Sequence, residues 1–453
     1  MFSQLLTIAR NTFVESVRQP IYFIIIALCG LCQMFTTWSA GFTMGMTESS
    51  EVSGDNKMLL DVGLATIFVC GLLLAAFLAT AVISREIDNK TVLTVVSKPV
   101  SRVTVVLGKY LGVAAAIVIA SLTMSLFLFV ALRHEVMSTA ADDLDGPVIL
   151  FTGLAVAIAI GAAIWCNIFY GWVFPQTATM LLFPLMGLAY VGVLLVSKRW
   201  HLQPPSVDFK PQIFTATMCI VMAHLVLTAL ATAASARLGQ VMTLVVCCGA
   251  FLLGFLSNHF LGAKAVDNRF VSRIRDAEPE LVGHRQFDRN GDVYRVRLEY
   301  DPRVVINAGS PIYFGPNPNG MGMSVPTFEP FDGRVTELSE LSDRSRPPAV
   351  VVKSADPAER LLIIQRVGAD RPLVRRPPQP GDYIFLTPTR INPPALVVWS
   401  IVPNVQYFWL LDAINQNQLI PASHIAHVAM YGTTQIGVFL CLAVVLFQRR
   451  EVG

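Results

Sequence analysis

Eight long apolar runs constrain the fold of this chain more than any other feature of its sequence. Each is close to the roughly 20 apolar residues that an α-helix needs to cross a bilayer. Hydrophobic residues make up 54% of the 453 residues and charged residues only 14%, whereas a soluble domain carries about 25% charged residues. These proportions exclude a soluble enzyme, a disordered protein and a secreted disulfide scaffold. The runs lie at residues 21–40, 59–83, 110–132, 148–169, 176–196, 213–235, 239–258 and 428–447.

One stretch, from residue 264 to residue 427, has a different composition. It holds 19 basic and 18 acidic residues of the 65 charged residues in the chain. Within it, residues 293–300 alternate apolar and polar side chains, as a half-buried strand does, and Asn290-Gly291 just before them is typical of a tight turn. We predict a mostly β domain over 264–400, inserted before the last helix. Its strands are expected at 293–300, 303–307, 348–353, 361–366 and 382–387.

Two further segments have patterns typical of the membrane surface. Residues 1–20 repeat apolar side chains every three or four positions and end at Pro20, which predicts an amphipathic interfacial helix. The alternative for this segment is a solvated leader helix. Aromatic residues in 403–420 favour the boundary between membrane and water, so we expect an interfacial helix segment over 401–427. The transmembrane domain then covers 21–260, with seven spans, and 428–453 holds the last helix and a tail.

The distribution of basic residues predicts which side of the membrane each loop faces. With both termini in the cytoplasm, the inside segments hold ten Lys and Arg residues and the short outside loops hold five, as the positive-inside rule requires. The loop 197–212 disagrees, because it carries three basic residues. Removing one crossing near 148–196 would resolve this but would move the insert into the cytoplasm. We keep eight spans, an extracytoplasmic insert, and the cytoplasmic (inner) membrane of a bacterium as the location.

Motifs for catalysis or metal binding are missing from the sequence. There is no GxxxxGK[ST] phosphate loop, no HExxH and no GxSxG, so we predict no catalytic residue, no metal, no cofactor and no enzyme activity of the chain itself. A net charge of +3 gives no reason to expect nucleic acid as a partner. Cys29 and Cys32 are spaced CxxC but lie in an apolar run, where cysteine behaves as a small hydrophobic residue.

Three other polar features each allow two interpretations. His224 lies within a predicted span, either as a functional ionisable group or as a neutral side chain bonded to a neighbouring helix. His424 and His427 share a helix face, as a metal or proton site or as an interfacial polar pair. Residues 288–292 imitate the start of a calcium loop, but the sixth position is Val293 rather than glycine, which favours a hairpin turn.

The loop between the second and third spans, residues 84–109, is the most informative polar stretch. It carries five basic and two acidic residues, and a short amphipathic piece from Thr91 to Val96 is stopped by Lys98-Pro99. A short helix held against the bilayer here could receive a push from a partner and pass it to two spans. An ordinary basic loop explains the same pattern.

The loop also resembles a known family. The run Glu86–Thr91, then Leu93, Lys98-Pro99-Val100-Ser101-Arg102 and Gly108-Lys109 are similar to the coupling loop of ABC transporter permeases of the type-2, exporter-like class. Pro403-Asn404 with Phe408, and the ending 446–451, resemble the segments around the last span of such permeases. The resemblance covers 1–132 and 400–453. Eight spans and an insert of about 160 residues depart from the six spans and small outer loop that are usual there.

The resemblance implies a permease subunit driven by a separate cytoplasmic ABC ATPase that docks on 84–102. It also implies a second permease chain, in a homo- or heterodimer within the lipid bilayer, and export of a substrate that the sequence does not name. Two alternatives stay open: a non-transporting membrane anchor or signalling subunit that passes ATPase motion to the outer domain, and a polytopic membrane enzyme. The residues implied in ATPase coupling are Arg85, Glu86, Lys90, Thr91, Leu93, Lys98, Pro99, Ser101, Arg102 and Lys109.

Overall fold

A computed structural model describes most of the chain. The described residues are 2–39, 48–88, 101–136, 144–280, 287, 289–318, 334–369, 377–411, 414, 420 and 422–448, with 48–55, 82–88 and 423 described by their backbone alone. The chain forms two compact units, Met1–Phe255 with Pro403–Gly453, and Leu256–Val402.

The first unit is helical. Its helices are α1 (Phe2–Val17), α2 (Pro20–Ser39), α3 (Glu48–Asp88), α4 (Arg102–His134), α5 (Gly146–Tyr170), α6 (Phe174–Leu195), α7 (Pro211–Ser235), α8 (Gln240–Ser257) and α11 (Ala422–Gln448). Helix α8 continues through a π-helical turn, Asn258–Gly262, and a last turn, Ala263–Ala265.

Eight helices in the described part are long and apolar enough to cross a membrane. They are Pro20–Ser39, Asn56–Ala81, Arg102–His134, Gly146–Tyr170, Phe174–Leu195, Pro211–Ser235, Gln240–Ala265 and His424–Gln448. The predicted class, a polytopic α-helical membrane protein with a β-rich region before the last helix, is confirmed. Successive spans of a polytopic protein cross the bilayer in opposite directions. One side of the helical unit, called here the terminal side, therefore holds residues 2–20, 101–102, 235–240 and 448. Residues 39, 134–146 and 195–211 lie on the other, the insert side.

Three helices form the centre of the helical unit. About two thirds of the apolar window is buried in α3, α4 and α7, at 67% each, against 22–44% in the other five spans. Many buried positions on α4 are alanine or glycine, which allow neighbouring backbones to approach closely. Polar side chains at these contacts are bonded across helices: the Tyr22 hydroxyl donates to the Ala116 carbonyl at 2.8 Å, and Gln33 Nε2 donates to the Gly63 carbonyl at 2.8 Å.

The second unit is a small antiparallel β-barrel. Its strands are β1 (Val266–Asp267), β2 (Ser272–Pro279), β3 (Val293–Leu298), β4 (Tyr313–Gly315), β5 (Ala349–Asp356), β6 (Leu361–Val367), β7 (Tyr383–Phe385) and β8 (Arg390–Ile391), with a one-turn helix α9 (Leu338–Leu341) and α10 (Pro393–Ile401). Six strands pair in the order β4-β7-β2-β3-β6-β5.

The two edges of this sheet are joined by a single segment. Gly309 and Ile312 donate to the carbonyls of Val352 and Val350 on β5, at 2.7 and 3.0 Å. The next residues form β4, which pairs with β7 at the opposite edge. Among the described strands, closing the sheet in this way leaves no long unpaired edge that could pair with another chain. The enclosed side chains are apolar, and burial among them raises the pKa of Tyr313 above its ordinary value.

The predicted strands are mostly confirmed. Strands β3, β5, β6 and β7 fall at 293–300, 348–353, 361–366 and 382–387 as expected. The prediction of a strand at 303–307 was wrong, because these described residues form a connection outside the ladder that bends at 303–304, with Val304 and Val305 exposed. The turn before β3 contains Gly291 at φ +91°, a conformation that favours glycine.

Candidate functional site

The segment that resembles a coupling loop lies on the terminal side, between α3 and α4. Arg85 and Glu86 belong to the last turns of α3, where only the backbone is described. Five of the implied coupling residues lie outside the described residues: Lys90, Thr91, Leu93, Lys98 and Pro99. The remaining three, Ser101, Arg102 and Lys109, define how the segment enters the helical unit.

Ser101 fixes the start of α4. It has an extended backbone, with φ −66° and ψ 141°, and its hydroxyl accepts a hydrogen bond from the Thr104 amide at 3.1 Å. A serine in this position satisfies one of the amides that a helix leaves without a partner at its start, which stabilises the helix by about 1 kcal/mol. Helix α4 therefore has a well-defined start at Ser101.

Two arginines connect this end of α4 to the end of the last helix. Arg102 Nη1 donates to the Gln448 carbonyl at 2.8 Å, and Arg237, just after α7, donates through Nε to the Leu446 carbonyl at 3.0 Å. The last carbonyls of a helix have no partner within the helix, and a cation near them also favours the helix dipole. The start of α4 and the ends of α7 and α11 are thus joined on the terminal side.

Helix α1 packs against α4 through two glycines. A Cβ added at Gly108 would lie 2.8 Å from Ile8 Cγ2, and one at Gly112 would lie 2.5 Å from the Ala9 carbonyl oxygen and 2.6 Å from Thr12 Cβ. Glycines four positions apart let two helix backbones approach closely. Phe2 and Leu6 on α1 remain exposed, at 74% and 52%, so this helix presents an apolar face away from α4.

His224 joins the two helices that flank the coupling segment. It is fully buried on α7, with Ser121 Oγ of α4 2.9 Å from Nδ1 and the Phe68 carbonyl of α3 3.2 Å from Nε2. A carbonyl oxygen only accepts, so Nε2 carries the proton and Nδ1 accepts from Ser121. Gly71 on α3 leaves room for the imidazole, since a Cβ there would overlap the ring. Both nitrogens of a neutral histidine are satisfied, which is the second of the two interpretations for this residue.

Phe68 extends the same contact to the segment before the last helix. Its ring lies 5.6 Å from that of His224, 5.3 Å from Phe251 and 5.9 Å from Trp409, centroid to centroid. Phe68 is near the middle of the span Asn56–Ala81. The expectation of an interfacial helix rested on 403–420, and Trp409 of this segment contacts Phe68 well inside the spans.

On the insert side, charged groups connect the end of α4 to the starts of α5 and α7. Arg133 contacts Asp145 at 2.6 Å and Asp208 at 2.7 Å, and Gln203 also donates to Asp208. Asp145 is itself the N-cap of α5, accepting from the Val148 amide at 3.2 Å. Arg133 and Asp208 also line a cavity of about 70 Å³, together with Phe129, Tyr190, Phe214 and other side chains.

The described residues hold no group of three His, Cys, Asp or Glu side chains placed to bind a metal ion. His424 packs against the ring of Tyr407 at 5.5 Å, and His427 is exposed. All eight cysteines are free thiols. The hairpin interpretation of 288–292 fits the antiparallel pairing of β2 with β3, in which the Arg289 amide donates to Asp292 Oδ2 at 2.8 Å.

Comparison with known proteins identifies the N-terminal part. Residues 6–171 match the family described as ABC-2 family transporter protein. The similarity to the ABC-2 family covers this part of the chain, which is less than half of its length. The matched range runs from α1 to Gly171, the left-handed residue that ends α5, and it contains the coupling segment. The comparison with curated proteins finds no match.

The ABC-2 match supports a permease subunit, which is a membrane component rather than a catalytic one. The resemblance noted in the loop is thus confirmed at the level of the family. Two groups of residues escaped the sequence analysis. Arg237 counted there only toward charge balance. Gly108 was quoted only for the resemblance and Gly112 was not considered, although Gly-x-x-x-Gly in an apolar run is a known sign of close helix packing.

Proposed function

We propose that the chain is the membrane subunit of an ABC transporter that exports its substrate and is driven by a separate ATPase. The ABC-2 match over 6–171, which includes the coupling segment, carries the proposal. The ATPase would dock on 84–102 from the cytoplasm, and a second permease chain would complete the transporter. The exporter-like class that the loop resembles supports the direction of transport.

In this proposal, α3 and α4 receive the motion of the ATPase. Both flank the docking segment, both contact His224, and α4 is fixed to α11 through Arg102. A shift of the segment would then reach α7, α11 and segment 403–411 without any intervening loop. Lys109, buried at 8% exposure two turns into α4, is also placed to move with that helix.

The location and sidedness also belong to the proposal: a bacterial cytoplasmic (inner) membrane, with both termini in the cytoplasm. An even number of spans puts the two termini on the same side, and the excess of Lys and Arg favours the terminal side as the cytoplasmic one. The proposal keeps the domain limits that the sequence patterns gave, which are 1–20, 21–260, 264–400, 401–427 and 428–453.

A second candidate function is a non-transporting subunit that passes ATPase motion to the insert. The folded β-barrel favours it, since the barrel has its own apolar core and is a body on which a partner could act. A transport assay separates the two candidates. ATP-dependent accumulation of any candidate substrate in inverted vesicles supports the permease, and barrel-dependent signalling without such accumulation supports the second candidate.

The docking segment is tested by variants that leave the spans intact. We expect Glu86→Ala and Pro99→Ala to insert normally and to lose substrate-dependent activity, because proline fixes φ and keeps the preceding residue out of helix. Arg297→Ala on β3, an exposed barrel position, is the control and should bind the ATPase as wild type does. Co-purification of the ATPase and its substrate-stimulated hydrolysis are the measurements. If both variants behave like wild type, 84–102 is an ordinary basic loop.

Arg102 and Arg237 provide a sharper control for the same segment. Both donate to the end of α11, but only Arg102 belongs to the proposed docking segment. Docking on 84–102 predicts that Arg102→Ala weakens ATPase binding several-fold while Arg237→Ala does not. Equal losses in the two variants would mean that the end of α11, rather than the loop, holds the ATPase.

A further inference from the structure

The loop between α6 and α7, residues 196–210, carries basic residues where the charge count of the other loops disfavours them. It lies on the insert side and contains Lys198, Arg199 and Lys210, whereas the positive-inside rule concentrates such residues on the opposite side. Its one acidic residue, Asp208, is bonded to Arg133 and to Gln203. The loop therefore carries positive charge that its own acidic residue does not neutralise.

The first half of this loop, 196–203, folds into a short hairpin. Val196 pairs with Leu202 in an antiparallel bridge, and the Ser197 amide donates to the His201 carbonyl at 2.8 Å. Trp200, in the turn, has φ +63°, a left-handed conformation that is costly for a bulky side chain. Because the turn is only five residues long, the Cα atoms of its basic and apolar residues lie within about 14 Å of one another.

Three contacts hold the loop at the ends of neighbouring spans. The Gln203 amide donates to the carbonyl of Leu195, the last residue of α6, at 2.9 Å. The Trp200 ring packs on Gly146, the first residue of α5, where an added Cβ would lie 3.2 Å from the indole carbon Cζ2. The ion pair of Asp208 fixes the loop to the last turn of α4. Since the ends of spans lie where hydrocarbon meets the headgroups, these contacts hold the hairpin at that boundary.

The exposed side chains of the hairpin are of the kinds that this boundary favours. Trp200 and Leu202 are exposed at 56% and 88%. Lys198 and Arg199 are exposed too, and their side chains form no ion pair or hydrogen bond with the part of the chain that the structure describes. Tryptophan is enriched at the level of the headgroups, and basic side chains near a membrane surface attract anionic lipids. The apolar and the basic side chains of the hairpin thus fit one environment.

We propose that the hairpin 196–203 is a binding site for the headgroups of anionic phospholipids in the leaflet on the insert side. Lys198 and Arg199 bind the phosphate groups, while Trp200 and Leu202 enter the boundary between the headgroups and the acyl chains. The lipid charge supplies the partner that these two basic residues lack among the described residues. The proposal goes beyond the transporter function and needs neither an ATPase nor transport.

The test compares two lipids as probes of the full chain. Trace phosphatidylglycerol or phosphatidylcholine, each with a photoreactive diazirine at the headgroup end of an acyl chain, is added to phosphatidylcholine vesicles that hold the protein. Mass spectrometry then measures the label on the peptide that contains 196–203, relative to the α5 peptide of Ile158, which is exposed at 52% on a span. We expect phosphatidylglycerol to label the hairpin at least about threefold more than phosphatidylcholine does.

Paired variants assign this preference to the hairpin. Lys198→Gln combined with Arg199→Gln should remove the preference and leave the label on the α5 peptide unchanged. The matched control is Arg297→Gln combined with Lys353→Gln, which makes the same change in net charge at exposed barrel positions and should keep the preference. In the unmodified chain, added salt should weaken the preference, because salt screens exposed charges.

Three outcomes would overturn the proposal. Equal labelling by the two lipids, or a preference that survives the changes at Lys198 and Arg199, would show that the hairpin does not select anionic headgroups. Loss of the preference in the barrel control would assign it to net charge alone. No label at 196–203 from either lipid, with normal label on α5, would place the hairpin in water or under another protein.

Discussion

At the scale of single residues, the polar groups inside the spans are placed by hydrogen bonds rather than by catalysis. Tyr22, Gln33 and His224 each bond to a backbone carbonyl on another helix, at 2.8, 2.8 and 3.2 Å. A polar group in hydrocarbon has no water to bond to, so each such bond selects one arrangement of two helices. His224 is distinctive among them, because it reaches two helices at once.

A double-mutant cycle at His224 and Ser121 measures this connection. Hydrogen bonds between helices in membranes contribute about 0.6 kcal/mol on average and up to about 1.7 kcal/mol. We expect a coupling of about 1 kcal/mol between His224→Ala and Ser121→Ala in the free energy of unfolding, measured in detergent. His224→Gln, which keeps a donor and an acceptor, should recover part of the loss. Additive effects of the two alanine changes would show that the contact between Ser121 and His224 contributes nothing to stability.

At the scale of helices, close packing on the terminal side depends on glycine. Gly108 and Gly112 form the surface of α4 on which α1 rests. The amphipathic pattern of α1 placed Phe2, Leu6 and Phe13 on one side, and the structure leaves Phe2 and Leu6 exposed while Thr12 and Ser16 are buried. The helix therefore packs on α4 through Ile8, Ala9 and Thr12, while Phe2 and Leu6 stay exposed.

Substitution of two glycines distinguishes packing from helix propensity. Gly112→Leu would force Ala9 and Thr12 to move, and overpacking of this kind costs about 1–3 kcal/mol. Gly161→Leu is the matched control, since it lies within α5 and nothing lies within 4 Å of the added Cβ. We expect thermal unfolding in detergent to occur several degrees lower for Gly112→Leu and unchanged for Gly161→Leu. Equal shifts would mean that α1 does not pack on Gly112.

At the scale of the whole molecule, the chain combines a polytopic helical unit with a β-barrel inserted before its last helix. The barrel is closed by residues 309–315, and the helical unit is centred on α3, α4 and α7. The proposed function also states which side of the membrane the insert and the coupling segment face, and this is its consequence that is easiest to test.

Single cysteines at Ser342, at the end of α9, and at Ser97, in the coupling segment, report the two sides. In cells whose outer barrier has been opened, a membrane-impermeant thiol reagent should label Ser342→Cys and leave Ser97→Cys unlabelled. The native cysteines lie in the apolar runs, and wild type serves as the background control. The reverse pattern would put the barrel in the cytoplasm and remove the basis for docking on 84–102.

Much of the architecture follows from local sequence. Span positions depend on the free energy of burying about 20 apolar residues in lipid, which each segment carries by itself. The alternation in 293–300 likewise specifies β3, because successive side chains of a strand point to opposite faces. The prediction at 303–307 failed because a strand also needs a partner, and no strand in the described part of the chain pairs with Val304 and Val305, which are exposed.

Contacts between distant segments could not be predicted from local sequence. Three contacts join residues that are far apart in the sequence: Arg102 and Gln448 by 346 positions, His224 and Phe68 by 156, and Asn392 and Ala265 by 127. No local sequence pattern predicts which helix a side chain will contact. The aromatic residues Phe408 and Trp409 fit the membrane boundary and the interior equally well by composition. The sequence by itself determined the membrane class and the eight spans, because the bilayer acts on each segment independently. The tertiary structure alone decided which polar groups share a partner, because that depends on packing among all the helices at once.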